Sequence, residues 1–319
     1  MREASFLAQN EKKWKKVESI LDKNSKLKPE ESADLFVELT DDLSYAQTHY
    51  PKSIITRYLN SIAGGIFQKI SSSKKEQLDR IISFWKYEVP RAVHENHSRM
   101  LAVFIFFLAA VLIGVVSTHY DETFPRVVLG DSYVDMTLEN IENGDPMGVY
   151  KDHDSNSMFL FITLNNLRVA MYTFIAGLLF SLGTYYFLFV NGVMLGTFQY
   201  FFVTKQLLLE SFLTIWIHGT IEISCIIIAG ASGIVLGNSF LFPGTLPRKH
   251  SLVKGAKEAL KIFIGIAPLI VIAGFLESFV TRYTEAPNIL RASIIVGSLA
   301  FIIWYFVIYP RRLFHGKKN

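Results

Sequence analysis

One histidine and one glutamate, His218 and Glu222, stand a helical turn apart inside the otherwise apolar stretch IHGTIEISCIIIAGASGIVLG. At i,i+4 they share a helix face. That face runs on through Cys225, Ala229, Gly233 and Gly237, and small residues at such spacing let a second helix approach closely. Glu222 is therefore expected to face packed protein, with Ala229, Gly233 and Gly237 as helix-packing positions. An ionisable group inside a bilayer costs about 2.5–3.5 kcal/mol, so the pair demands a reason. Asn165, Asn166 and Arg168 open another apolar segment, Asn191 interrupts it further on, and Glu277 lies near the end of a third. Arg168, His218, Glu222 and Glu277 are expected to meet as one intramembrane polar cluster near the outer leaflet. Asn165, Asn166 and Asn191 accompany it as a polar signature.

Two chemistries fit such a cluster. Arg168 could pair with Glu222 or Glu277 to fix helix register, or the group could be a proton- or ligand-coupled site. A zinc-protease helix needs two histidines at i,i+4 with a glutamate beside the first. Here one His is joined by one Glu and no third protein ligand is evident, so no metal site is expected. His94 and His97, at i,i+3, read as a solvated turn before the first apolar run. There is no paired membrane aspartate, no G-x-S-x-G, no P-loop and no dinucleotide fingerprint. No catalytic residue and no cofactor is expected, and the chain reads as a non-enzyme. Its single cysteine, Cys225, excludes a disulfide framework within one chain.

The elements that must position these residues are apolar and long. Half of the 319 residues are hydrophobic and 19% are charged, with a net charge of +4. The apolar residues are blocked: uncharged runs such as 101–116 and 262–273 appear only after residue 100. A hydrocarbon core of about 30 Å needs roughly 20 apolar residues in a helix. Six passes are expected, near 101–118, 167–190, 192–209, 214–238, 262–281 and 292–309. The third carries Gln199 and Lys205 after an Asn191-Gly192 break, and reads either as a span or as a re-entrant segment. The fold class expected is all-α, a polytopic helical membrane protein.

Charge sets the orientation. The 241–261 connection and the 311–319 tail are basic, and residues 1–99 hold 17 Lys and Arg against 14 Asp and Glu. The positive-inside rule places all three in the cytoplasm, which requires an even number of passes. The 119–165 segment has nine acids and two bases, a net of −7, and is expected to form an extracytoplasmic acidic cap. Its 133–141 stretch could be a short helix, and Asn143-Gly144-Asp145-Pro146 is a turn signal. The basic residues sit in short flanks beside apolar runs, so no nucleic-acid partner is expected.

Residues 1–99 read as a cytoplasmic helical bundle. Phe6, Leu7, Trp14, Val17, Ile20 and Leu21 recur at helical spacing. Pro29 and Pro51 open second and third helices, and Ser73-Lys-Lys-Glu76 fits a capping box for a fourth. The remainder divides into a 100–310 transmembrane domain and the basic tail.

Three stretches resemble the stage II sporulation protein M family of multi-pass membrane proteins: NNLRVAMYTFIAGLLFSLGTYYFLFVNGVMLG, HGTIEISCIIIAGASGIVLG and IAGFLESFVT. The N-terminal FLAQNEKKWKKVESIL and the later HYPKSIITRYLN are similar to the longer, non-sporulation members. The resemblance implies a helical membrane fold in the cell envelope; with the charge pattern above, the expected location is the cytoplasmic (inner) membrane with both termini inside. It further implies a scaffold or anchor that organises envelope or cell-wall remodelling partners. The expected partners are membrane lipids, other envelope proteins and a second copy of the chain, in the first place as a dimer. The alternative is a transporter or channel component built on the His/Glu/Arg cluster, with Asn191-Gly192 unwinding as broken transporter helices do.

Overall fold

A computed structural model describes residues 3–22, 29–72, 77–150, 154–284 and 286–314, and among these every regular element is helical. The chain divides into two units, 1–82 and 83–319. Residues 83–99, read from the sequence as part of the bundle, group with the membrane helices. The capping box at 73–76 and the last five residues of the basic tail lie outside the described residues.

In the first unit, α1 (Glu3–Asp22), α2 (Pro29–His49) and α3 (Ile54–Ser72) close around an aromatic-aliphatic core. Phe6, Trp14, Val17, Leu39, Ala46, Leu59, Ile62 and Ile66 are buried in it. Pro29 begins α2, where its missing N–H is no loss. The Trp14 indole donates to Asp42 Oδ2 at 2.8 Å, and Lys13 pairs with the same carboxylate. The Tyr58 hydroxyl donates to Glu18 Oε2 at 3.0 Å. Burial and the neighbouring Glu18 push that phenol up to about 12.

A short helix, α4 (Gln77–Ser83), runs through a π-helical turn (Phe84–Glu88) into α5 (Val89–Glu95). In the second unit α5 packs against the membrane bundle. Val89 and Val93 are fully buried against Ile262 and Ile266, Trp85 donates to the Gly265 carbonyl, and Tyr305 donates to the Trp85 carbonyl. His97 sits 2.9 Å from the Phe306 carbonyl. The His94–His97 stretch is thus held against the last pass, and is not the solvated turn read from the sequence.

Among the described residues, six helices are long and apolar enough to cross a membrane. They are α6 (His97–Tyr120), α9 (Ser155–Ile175, extended by a 3₁₀ turn to Leu178), α10 (Leu182–Thr204) and α11 (Leu208–Leu241). The others are α12 (Arg248–Phe275, continued by a π-helical turn to Thr281) and α13 (Asn288–Ile303, continued through a second π turn into α14, Tyr309–Phe314). Between α6 and α9 lie α7 (Phe124–Leu129) and α8 (Asp131–Glu142), followed by a turn in which Gly144 takes φ +77°. The expected 133–141 helix and the turn signal fall here.

Passes two and three divide elsewhere than the sequence suggests. The expected break at Asn191-Gly192 lies inside a continuous α10, where the Asn191 amide donates back to the Phe187 carbonyl at 2.8 Å. The chain instead reverses at 179–181, where Phe180 and Ser181 adopt left-handed φ of +55° and +64°. Residues 155–166, assigned from sequence to the cap, are the first half of α9. Asp154 caps it, accepting from the Ser157 N–H at 3.1 Å, and that bond holds the carboxyl below its usual range. The third segment is a full-length helix. Its Gln199 is satisfied, donating to Ser211 Oγ at 3.1 Å and accepting from Trp216 Nε1 at 3.0 Å.

α11 is the hub. Of its most apolar window 78% is buried, against 17–44% for the other five spans. It contacts α6, α9, α10, α12 and α13. Its small residues make that possible: Ala229 is fully buried, and a Cβ on Gly233 would meet Thr184 Oγ1 and the carbonyls of Thr173 and Phe174. One on Gly237 would meet Ser181 and the Gly177 carbonyl.

Candidate functional site

Helix α11 projects His218 and Glu222 from one face, as i,i+4 spacing requires. Glu277 comes from α12, but only after its α-helix has given way to the π-helical turn Leu276–Thr281. A π turn inserts an extra residue and re-aims the side chains that follow, a feature frequent at functional sites. Here it presents both Glu277 and Thr281 to α11.

The three side chains converge. One ligand-type atom from each of His218, Glu222 and Glu277 lies within 4.8 Å of the other two. His218 Nε2 is 3.8 Å from Glu277 Oε2, and His218 Nδ1 is 2.9 Å from Thr281 Oγ1. The Thr281 hydroxyl donates to the Leu276 carbonyl at 3.1 Å. Its proton being used there, its oxygen accepts from Nδ1–H. That assignment leaves the Nε2 lone pair turned toward Glu277.

The group lines a cavity of about 390 Å³ and is not sealed in a helix contact. Asn165, Asn166, Gly219 and Trp216 share its wall, and Val128, Leu129 and Tyr133 of α7 and α8 stand at its acidic-segment end. Burial pushes the Tyr133 phenol up to about 12, so it remains a neutral donor there. The Asn166 amide nitrogen is buried without a hydrogen bond of normal geometry, although Glu222 is the group it faces.

Arg168 is not a member of this cluster. It is exposed on α9 and forms no ion pair among the described residues. It follows Asn166, which lines the cavity, by two positions on α9, and at 3.6 residues per turn that aims it roughly 200° away around the helix. The pass expected to begin at 167 begins instead at Ser155, so the polar residues near 165–168 lie within the helix and its faces divide them. Asn165 is exposed at the cavity edge and Asn191 faces away from it, bonded within α10. Ala229, Gly233 and Gly237 lie on the packed face described above.

Glu277, expected in the cluster from its place near the end of its pass, does join His218 and Glu222. Thr281 escaped notice, though its place one turn after Glu277 was the available signal. A buried arginine, Arg291, was missed as well. It donates to Thr214 Oγ1 at 3.2 Å and to Asn288 Oδ1 at 2.6 Å, away from the cluster.

Six long apolar helices among the described residues, with a separate N-terminal helical unit, define a polytopic helical membrane protein. The chain belongs to the stage II sporulation protein M (SpoIIM) family, whose model matches residues 103–282. A second model, a domain of unknown function (DUF8413), matches residues 4–72. Searches of the curated proteins and of the solved structures return no significant match.

Proposed function

We propose that the chain is a transport-type membrane component that takes a small polar or cationic ligand into the chamber between α9, α11 and the end of α12. One observation carries this reading: His218, Glu222 and Glu277 line an open cavity within the spans. Charges kept only for helix register would close on one another, and neither glutamate is paired to a lysine or arginine among the described residues. The orientation that fits is both termini in the cytoplasm of an inner-membrane protein, with the acidic segment and the chamber mouth outside. Unwinding at Asn191 plays no part, since α10 is continuous there.

Reconstituted into liposomes with a pH-sensitive dye inside, the wild-type chain should carry ligand or protons across the bilayer. Glu222→Gln should elute and unfold like the wild type yet carry none. If instead the variant fails to assemble, or the wild type shows no flux with any cation tried, the transport reading is lost.

A second reading, a non-enzymatic scaffold for envelope partners, is favoured by two surfaces. The first unit exposes Ile54, Val37 and Phe67, with Ile54 at 77%. Arg168 is exposed along a span, where a lipid-facing charge is costly and a second copy would cover it. Co-purification from native membranes in mild detergents should then recover identified envelope proteins and a particle larger than one chain. Recovery of a bare monomer in every detergent contradicts both halves of this reading.

A further inference from the structure

We propose that His218, Glu222 and Glu277 form a binding site for one divalent transition-metal cation, with Zn²⁺ and Mn²⁺ as the first candidates. The inference rests on reading the chamber as a ligand site, and it names the ligand. One imidazole and two carboxylates are a donor set suited to borderline first-row metals rather than to Ca²⁺ or Mg²⁺, which favour all-oxygen shells. Metal–ligand bonds of about 2.0–2.2 Å put the ligand atoms roughly 3–4 Å apart. The three atoms already lie within 4.8 Å of one another, so a small side-chain rotation brings them to ligating distance.

Three further observations point the same way. A metal-bound histidine characteristically donates its other ring N–H to an oxygen, which fixes the tautomer and the ring orientation. The Thr281 hydroxyl, held by the Leu276 carbonyl, does this for His218 and turns Nε2 to the carboxylates. Charge is the second. The residues lining the chamber include two glutamates and no lysine or arginine, so two carboxylates this close either share a proton or hold a cation between them. Arg168 does not supply it, and Arg291 donates to Thr214 and Asn288 instead. Access is the third. The cavity reaches the acidic segment of net charge −7, whose field concentrates cations at the mouth. Three protein ligands leave coordination positions on the chamber side, where water or the buried Asn166 amide's partner would stand.

The test uses the full-length protein in detergent, stripped with a chelator and titrated with Zn²⁺ and Mn²⁺ by calorimetry. The metal retained after desalting is counted by mass spectrometry. The wild type should hold about one ion per chain, with Mg²⁺ and Ca²⁺ unable to compete. Glu277→Gln and His218→Gln should weaken binding at least 100-fold, and Thr281→Val by about 10-fold or more. Should a variant not fold, Co²⁺ bound to the wild type decides the matter: a visible band typical of nitrogen and oxygen ligation without thiolate is expected. No stoichiometric metal, or binding indifferent to these substitutions, overturns the site. Metal bound without flux keeps the site and removes the transport reading. Flux or proton uptake with no metal bound does the opposite.

Discussion

Gly233→Val is expected to prevent the membrane unit from assembling. A Cβ at this position would stand 2.8 and 3.0 Å from the carbonyl oxygens of Thr173 and Phe174, and closer still to Thr184 Oγ1. Two of these three neighbours are backbone, so no rotamer change relieves the contact, and α11 must move away from α9. Overpacking of a close-packed core costs about 1–3 kcal/mol, occasionally more, and the two further methyls of valine add to the clash. Because α11 contacts five other spans, the displacement is shared by most of the bundle. The expected outcome is a large loss of monodisperse protein in dodecyl maltoside and a lowered apparent unfolding temperature. Gly297→Val is the control, since a Cβ there meets nothing within 4 Å. If the two variants behave alike, the close approach is not what holds the helices.

Trp14→Ala is expected to unfold the first unit and leave the membrane unit intact. Trp14 is 1% exposed, stacks edge-on against Phe6 at 5.4 Å and donates to Asp42. Truncating a buried tryptophan costs about 3–5 kcal/mol. A unit of this size buries a modest fraction of its surface and has little stability to spare. Limited proteolysis of the full-length variant should therefore cut rapidly within 3–72, with the spans protected as in the wild type. Trp14→Phe keeps most of the burial and loses the hydrogen bond, so it should lie between the two. Equal protease resistance of Trp14→Ala and wild type would falsify the claim that this core holds the unit together.

The fold class was legible because a bilayer imposes it. Long apolar runs in a bilayer satisfy their backbone as spanning helices, and six such helices lie among the described residues. The division between passes two and three was not legible. Asn165, Asn166 and Arg168 look like the polar edge of a span, whereas Asn165 and Asn166 lie at the chamber wall, where polar groups are tolerated at depth. Asn191-Gly192 looks like a break, whereas Gly192 packs on Ala110 and Phe107 of α6. The true reversal at Phe180 and Ser181 uses left-handed backbone at non-glycine residues, which no turn residue announces. At the site, the His218–Glu222 pair was visible from i,i+4 spacing alone. Glu277 was expected there from its position near the end of a pass, whereas Thr281 was not legible, because a π turn, unmarked in the sequence, aims both.

The connections between spans are unequal. Residues 179–181 and 205–207 join helices with three residues each, and 242–247 and 282–287 with six. On the face where α6 ends and α9 begins, the stretch from 121 to 154 is the one long connection, and it carries its own helices. A soluble molecule arriving from that side therefore meets little else of the chain. Antibodies raised to that face should map to this stretch, whose Val128, Leu129 and Tyr133 line the chamber.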